Sequence, residues 1–205
     1  MLEMSDGVKL FTRLYFPDTS AAPSDYPRPV ILVRTAHQVG LYDQSMYDQV
    51  ILQITDAKRY ILIEQDFRGR EKSEGAATFF ETEKQDGYET IEWIAEQEWS
   101  DGNVAMFGFS GLAMAQYLAA TAQPEHFVCG FPMVGAWNAY EQIAYPGGEY
   151  RYEIEQWFET NNLSSEAIDS VKANFNYNES WDYLNMNLFA GDIQVPFMHL
   201  SGWYD

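Results

Sequence analysis

The run Asn103 to Gln123, NVAMFGFSGLAMAQYLAATAQ, decides the fold class of this 205-residue chain. Of its first seven residues, all but Asn103 are apolar or glycine and predict a buried strand, and the small-residue stretch Gly111 to Gln123 predicts a packed helix. Ser110 stands between the two, in the sequence Gly108-Phe109-Ser110-Gly111. A strand, a sharp turn and a helix form the context of a nucleophile elbow. We therefore expect a strained Ser110 with φ above zero, and a helix N-terminus behind it that stabilises negative charge.

The glycines around Ser110 depart from the usual elbow pattern G-x-S-x-G, because Leu112 stands at the fifth position. An ordinary Gly-Ser turn is therefore the alternative to a catalytic serine. The strand before Ser110 and the helix after it favour the catalytic interpretation.

Strand and helix patterns alternate on both sides of this turn. Period-two alternation predicts a half-buried strand over residues 8–16, and continuous apolar runs predict buried strands over 29–34, 60–64 and 127–134. Helix-spaced apolar residues predict helices over 47–55 and 83–98. We expect an α/β fold whose sheet is mostly parallel, with helices on both faces.

The character of the chain changes after residue 136. We divide it into a core over 1–136, a short helical cap insertion over 137–190 and a return to the core over 191–205, where Val195 to Ser201 predicts the last strand. The sequence pattern of the cap predicts helices over 149–160 and 165–175. The cap is also rich in aromatic residues, which either shape an apolar pocket or pack the cap onto the core, and for most of them we favour packing. These residues are Trp137, Tyr140, Tyr145, Tyr150, Tyr152, Trp157 and Phe158.

Composition narrows the possible partners and the location. A net charge of -19 argues against nucleic acid as a partner, although an acidic field could attract cationic substrates. No apolar run is long enough to span a membrane, and the N-terminus lacks a signal-peptide pattern, so we expect a cytoplasmic protein. The single cysteine, Cys129, excludes an internal disulfide, and its apolar neighbours predict a buried thiol.

A series of motifs runs along the chain in a specific order and spacing: Arg34, Gln65 to Arg70, Ser73-Glu74-Gly75, Asp86-Gly87-Tyr88, Ile91 to Ile94, Trp99 to Val104, Met106 to Ser110 and the terminal Gly202-Trp203-Tyr204-Asp205. Together they resemble the X-Pro dipeptidyl-peptidase (peptidase S15) and cocaine esterase family of serine hydrolases. The resemblance covers residues 6–134 and 195–205. It implies an α/β-hydrolase fold with a helical cap, and cleavage of ester or amide bonds without a metal or an organic cofactor.

The resemblance also implies roles for individual residues. Ser110 matches the nucleophile and Asp205 the acid of the catalytic triad, and the backbone N–H of Gly111 matches one oxyanion donor. His37 stands where the family has a tyrosine whose hydroxyl is the second donor. A neutral imidazole can donate one N–H, so His37 is either this donor or a loop histidine without a catalytic part.

The triad histidine is the largest departure from the family. In the family it follows the acid, whereas His37, His126 and His199 all precede Asp205. We expect His126 to be solvated and His199 to be a satisfied core histidine. Without a base the serine is a poor nucleophile near neutral pH, so we expect these 205 residues to be a truncated form, without the C-terminal end of the fold and inactive alone.

Two functions remain open at this stage. The first is an acyl hydrolase that acts on a small ester or on an X-Pro peptide. In such an enzyme Glu141, Glu149 or Glu153 either binds a substrate ammonium group or is simply solvated. The second is a catalytically dead remnant that serves as a binding or assembly module. The strand Val195 to Ser201 would present an open sheet edge, and we expect it to pair with a second copy or with the missing C-terminal segment.

Overall fold

A five-stranded sheet forms the centre of the computed structural model, which describes residues 1–16, 27–35, 59–160, 163 and 165–203. Its strands are β3 at Thr12–Tyr15, β4 at Arg28–Thr35, β5 at Ile61–Asp66, β6 at Ser100–Phe109 and β7 at Phe127–Met133. They stand in the order β3-β5-β4-β6-β7, in which β3 is antiparallel to β5 and the other neighbouring pairs are parallel. The short strands β1, Leu2–Glu3, and β2, Lys9–Leu10, form a separate antiparallel pair.

The chain extends this sheet once more after the helical region. Phe197 and Leu200 form parallel bridges with Gly130 and Met133 of β7, and Met198 N–H donates to Gly130 O at 3.0 Å. The predicted last strand therefore lies beside β7 and runs in the same direction. The mostly parallel α/β sheet expected from the sequence is confirmed.

The single strand predicted over residues 8–16 is wrong, because the chain changes partners at Phe11. Strand β2 pairs with β1, whereas β3 pairs with β5. Ser73 Oγ accepts from Phe11 N–H at 2.8 Å, and Phe11 O accepts from Asp66 N–H at 3.0 Å. These bonds hold Phe11 between the two strands, so an alternating pattern continues across a break in the pairing.

Two helices cover one face of the sheet. Helix α1 spans Glu83–Ala95 and helix α2 spans Gly111–Thr121. Both contribute to one buried cluster with the strands: Val30, Leu32, Ile61, Ile63, Val104 and Met106 from the sheet, with Ile91, Ile94, Ala119 and Ala120 from the helices. Helices α1 and α2 therefore lie on the same face of the sheet. The helix predicted over 47–55 falls outside the described residues.

Cys129 is exposed, so the prediction of a buried thiol is wrong. The apolar run around it suggested a strand covered on both faces. The register of β7 against β6 shifts between Val104 and Ala105, and beyond this shift Cys129 pairs with Ala105. Val128, its neighbour, is also exposed. Among the described residues no helix covers Cys129, which explains the exposure.

The residues between β7 and the last strand are helical and pack against α2. They include a π-helical turn at Tyr140–Ala144, helix α3 at Glu153–Thr160, helix α4 at Ser165–Ala173 and 3-10 turns at Pro146–Gly148, Glu179–Leu184 and Met186–Leu188. Most of the cap aromatics named above pack into the cluster that joins this region to α2, but Tyr152 is 64% exposed. The proposed boundaries at 136 and 190 stay a prediction.

Candidate active site

Ser110 lies on a sharp turn between β6 and α2. Its φ is 55° and its ψ is -122°, so the positive φ predicted from the sequence is confirmed. Its N–H donates to Met133 O at 2.9 Å, while its carbonyl accepts from Ala113 N–H at 3.0 Å and begins the helix. The residue itself is exposed. The turn thus presents a strained serine to solvent from a rigid strand-to-helix junction.

Close contacts surround the glycines on both sides of Ser110, most tightly at Gly108. A Cβ on Gly108 would come within 2.4 Å of Leu112 Cβ, and one on Gly111 would come within 3.0 Å of Phe80 Cζ. Leu112 itself is buried, so a leucine at this position of the elbow packs inward. The departure from G-x-S-x-G therefore leaves the turn intact.

The first amides of α2 are free to bind an oxygen next to Ser110. Ala113 and Met114 donate to Ser110 O, but the N–H groups of Gly111 and Leu112 have no acceptor among the residues that the structure describes. Free amides at a helix N-terminus, together with the helix dipole, favour a negative charge at that position. The geometry fits the oxyanion role that the resemblance implies for Gly111.

A cavity of about 510 Å³ opens at Ser110, within the size range typical of small-molecule sites. One side of it is apolar and comes from helices α2 and α3, the π-helical turn and the segment before α1. The lining residues are Phe79, Phe80, Ser110, Gly111, Met114, Val134, Gly135, Ala136, Gln142, Ile143, Arg151, Glu153, Ile154, Trp157 and Ser201.

Strained backbone is concentrated in this cavity. Five residues other than glycine have a positive φ in the described part of the chain, and three of them line the cavity: Phe80 at 64°, Ser110 at 55° and Val134 at 47°. Such conformations cost about 1–3 kcal/mol each and persist only where the surroundings hold them. Their convergence makes this cavity the candidate active site.

The two histidines that the structure describes are bonded to other groups. His126 Nδ1 lies 2.7 Å from Glu92 Oε2, at the opposite end of β7 from Ser110, and is only half-buried. His199 is exposed rather than in the core, because its strand is the outermost one described, and its Nδ1 lies 3.1 Å from Tyr117 Oη. Neither histidine lines the cavity at Ser110.

Two of the four residues that the sequence assigned to the site, His37 and Asp205, fall outside the described residues. Ser110 and Gly111 both line the cavity. Of the three cap glutamates considered as ammonium ligands, Glu153 lines the cavity and has a 74% exposed side chain, whereas Glu141 and Glu149 are exposed elsewhere.

A buried charge network anchors the wall of the cavity. Arg34 on β4 is 1% exposed, and its guanidinium donates to Glu83 Oε2 at 2.6 Å and to Gln65 Oε1 at 2.8 Å. Asp86 accepts two bonds from Arg68, at 2.6 and 3.0 Å. The network fixes the first turn of α1, which begins three residues after Phe80.

The Glu83 carboxyl is protonated more readily than an ordinary glutamate. Burial is the largest effect and raises its pKa to about 7, the Arg34 guanidinium acts in the opposite direction, and the Asp86 carboxylate raises the pKa again. A buried carboxyl with this pKa changes charge near neutral pH.

Sequence reasoning missed Phe79 and Phe80, which form the wall of the cavity nearest to Gly111. Their apolar pair in the run Thr78 to Glu83 was the available signal, but nothing in the sequence indicates a positive φ at a phenylalanine.

In the described part of the chain, no group of three or more His, Cys, Asp or Glu side chains is arranged to hold a metal ion. No described helix combines the length and the apolar character that crossing a membrane requires.

Comparisons with known proteins agree on one family. The model of the X-Pro dipeptidyl-peptidase (S15) family matches residues 6–173. Cocaine esterase from Rhodococcus sp. (strain MB1 Bresler) is 34% identical over 155 residues, which cover 75% of this chain and 26% of the esterase. The chain spans about a quarter of the length of the curated relatives it matches.

Solved structures support the fold. A CocE/NonD family hydrolase from Staphylococcus aureus matches with a TM-score of 0.77 at 22% identity, over 95% of this chain and 38% of that protein. An α-amino acid ester hydrolase matches with a TM-score of 0.79 at 19% identity, over 98% of this chain and 41% of that protein. At these identities the likeness shows the α/β-hydrolase type of fold and nothing finer.

Proposed function

Since the chain belongs to the X-Pro dipeptidyl-peptidase (S15) family of hydrolases, we propose that it cleaves ester or amide acyl bonds through an acyl-enzyme on Ser110. The observation that carries the proposal is the strained, exposed Ser110, which lines a cavity and stands beside two helix amides that have no acceptor in the described part of the chain. The substrate is a small ester or a peptide cleaved after an X-Pro pair, and no metal or organic cofactor is needed.

The proposed reaction has two steps. Ser110 Oγ attacks the acyl carbon and gives its proton to a base, and the carbonyl oxygen becomes an oxyanion that the Gly111 N–H stabilises. The acyl–oxygen or acyl–nitrogen bond then breaks, and the leaving group departs with the proton. Water attacks the acyl-enzyme in the same way, which releases the acid and returns the proton to Ser110.

Asp205 and His37 are proposed as the triad acid and the second oxyanion donor. Ser201, four residues before Asp205, lines the cavity with Ser110. Thr35, two residues before His37, ends strand β4 at the carboxyl edge of the sheet, where β6 delivers Ser110. Ser201 and Thr35 thus lie at the edge of the sheet where Ser110 stands, and the residues that follow them begin there, which supports the two assignments.

We propose that the base is supplied by a histidine other than His37, His126 and His199, since His37 is assigned above to the oxyanion. His126 and His199 are engaged elsewhere, with Glu92 and Tyr117. The 205 residues alone should therefore hydrolyse p-nitrophenyl esters negligibly, because the Ser110 hydroxyl stays protonated without a neighbouring base.

The test combines a fluorophosphonate probe with chemical rescue. Imidazole in solution should accelerate phosphonylation of Ser110 in the 205-residue chain, as measured by mass spectrometry of the labelled peptide. Ser110→Ala should abolish the label, and Ser201→Ala, which changes the other cavity serine, should leave it. Labelling at Ser201, or no labelling of Ser110 at any imidazole concentration, would refute the nucleophile.

A second candidate, an assembly module, is favoured by the open edge beside β7. Met198 and Leu200 are 72% and 54% exposed, and neither Phe197 nor His199 has a backbone N–H partner among the residues described. Such an edge can pair with another strand. We propose that it joins a second copy or a further segment of the protein, and light scattering against concentration would reveal the assembly.

A further inference from the structure

Phe80 has a backbone conformation that its residue type disfavours. Its φ of 64° lies in the left-handed region, which bulky side chains rarely adopt. Two hydrogen bonds fix the segment. Glu83 N–H donates to Phe80 O at 3.2 Å, and Tyr183 Oη from the cap donates to Phe79 O at 2.9 Å. The strained segment is thus held from the core on one side and from the cap on the other.

The conformation directs the Phe80 ring towards the catalytic turn. The ring makes edge contacts with Phe67 and Phe79, with centroids 5.9 and 5.3 Å away. It lines the cavity, and its Cζ lies 3.0 Å from the point where a Cβ on Gly111 would stand. Phe80 therefore closes the cavity on the side of the Gly111 amide, next to Ser110.

The position of this ring is rigid because its supports are buried. Phe80 is 6% exposed, and Phe79 is packed against Phe158 with a centroid distance of 4.9 Å. The Arg34–Glu83 pair holds the start of α1 only three residues further along the chain. A wall fixed in this way sets a firm limit on the size of a group bound beside Ser110.

The geometry points to Phe80 as the residue that limits the length of the acyl group accepted at Ser110. This inference rests on the proposed function, since it takes the cavity to be the acyl site. A longer chain meets the Phe80 ring before it can be fully buried. Removal of the ring extends the cavity towards Phe67 and lets further methylene groups leave water.

Binding in a Ser110→Ala background tests the limit separately from the chemistry. The ligands are 4-nitroanilides of straight-chain acids from two to six carbons, and their dissociation constants are measured by equilibrium dialysis. Each methylene group that becomes buried should tighten binding about fourfold. With Phe80 present, we expect this gain to stop within the series. In Phe80→Ala it should continue, so the six-carbon to two-carbon affinity ratio rises about tenfold or more.

Phe158→Ala is the matched control. Phe158 is buried like Phe80 and also contacts Phe79, but it does not line the cavity. It should leave the affinity ratio unchanged, and Phe80→Leu should give an intermediate ratio if the alanine variant folds poorly.

The outcomes separate this inference from the proposed function. An unchanged ratio in both Phe80 variants, an equal change in Phe158→Ala, or no saturable binding in any variant would overturn the role of Phe80. None of these results depends on a nucleophile, because Ser110 is absent in every protein measured. Loss of the proposed function would instead appear in the phosphonylation experiment alone.

Discussion

The buried Glu83 carboxyl should make the stability of the protein depend on pH in an unusual direction. In the unfolded chain the pKa of this carboxyl is about 4.5, and in the folded protein burial raises it to about 7 despite the Arg34 guanidinium 2.6 Å away. At about 1.4 kcal/mol for each pH unit, the difference amounts to about 3 kcal/mol.

The direction of the pH dependence follows because Glu83 binds its proton more tightly in the folded state than in the unfolded state. Below pH 4.5 both the folded and the unfolded states are protonated at Glu83, and its contribution to stability is complete. Between pH 4.5 and 7 the unfolded state loses the proton first, so the free energy of unfolding falls as the pH rises. Above pH 7 both states are ionised and the loss is complete.

Glu83→Gln removes this titration and keeps a group that can hydrogen-bond to Arg34. Urea unfolding of both proteins at several pH values between 4.5 and 7.5 gives the difference in unfolding free energy, variant minus wild type. This difference should rise by about 3 kcal/mol across the range. Glu81→Gln, at an exposed position two residues earlier, controls for the loss of one negative charge.

The opposite trend would refute the reasoning. If the ion pair with Arg34 outweighs burial, the pKa of Glu83 is lowered in the folded protein. The variant would then lose stability relative to wild type as the pH rises. A flat difference would mean that burial and the ion pair cancel, and the pKa would lie near its ordinary value.

Two further predictions concern strain and assembly. Val134→Gly should raise the free energy of unfolding by about 0.5–1 kcal/mol, because relief of the left-handed backbone at 47° outweighs the entropy cost of glycine. The control is Val128→Gly, at a position that is equally exposed but has no positive φ, and it should lower the free energy of unfolding. If thermal melts show that both variants are less stable than the wild type, the argument is contradicted. Met198→Lys should shift light scattering towards the monomer by placing a charge on the open edge, and unchanged association would place the contact elsewhere.

The alternation of strand and helix was readable from the sequence because each element carries its own period. The turn at Ser110 was readable too, since glycines on both sides of a serine between a strand and a helix leave few alternatives. The pairing of strands could not be predicted in this way. The break at Phe11 depends on Ser73 and Asp66, which are more than fifty residues away in the chain. An apolar run also does not say which faces are covered, as exposed Cys129 shows.

The strained residues of the cavity have in common that each is held by a distant part of the chain. Met133 O accepts from Ser110 N–H, and Leu200 O accepts from Val134 N–H at 2.8 Å. Phe80 depends on its neighbours in the core and, through the Phe79 carbonyl, on Tyr183 of the cap. A local sequence could not maintain these conformations, because the energy that holds them comes from the sheet and the cap. The cavity should therefore keep its shape only while β7, the last strand and the cap remain packed together, which makes its geometry a property of the whole fold.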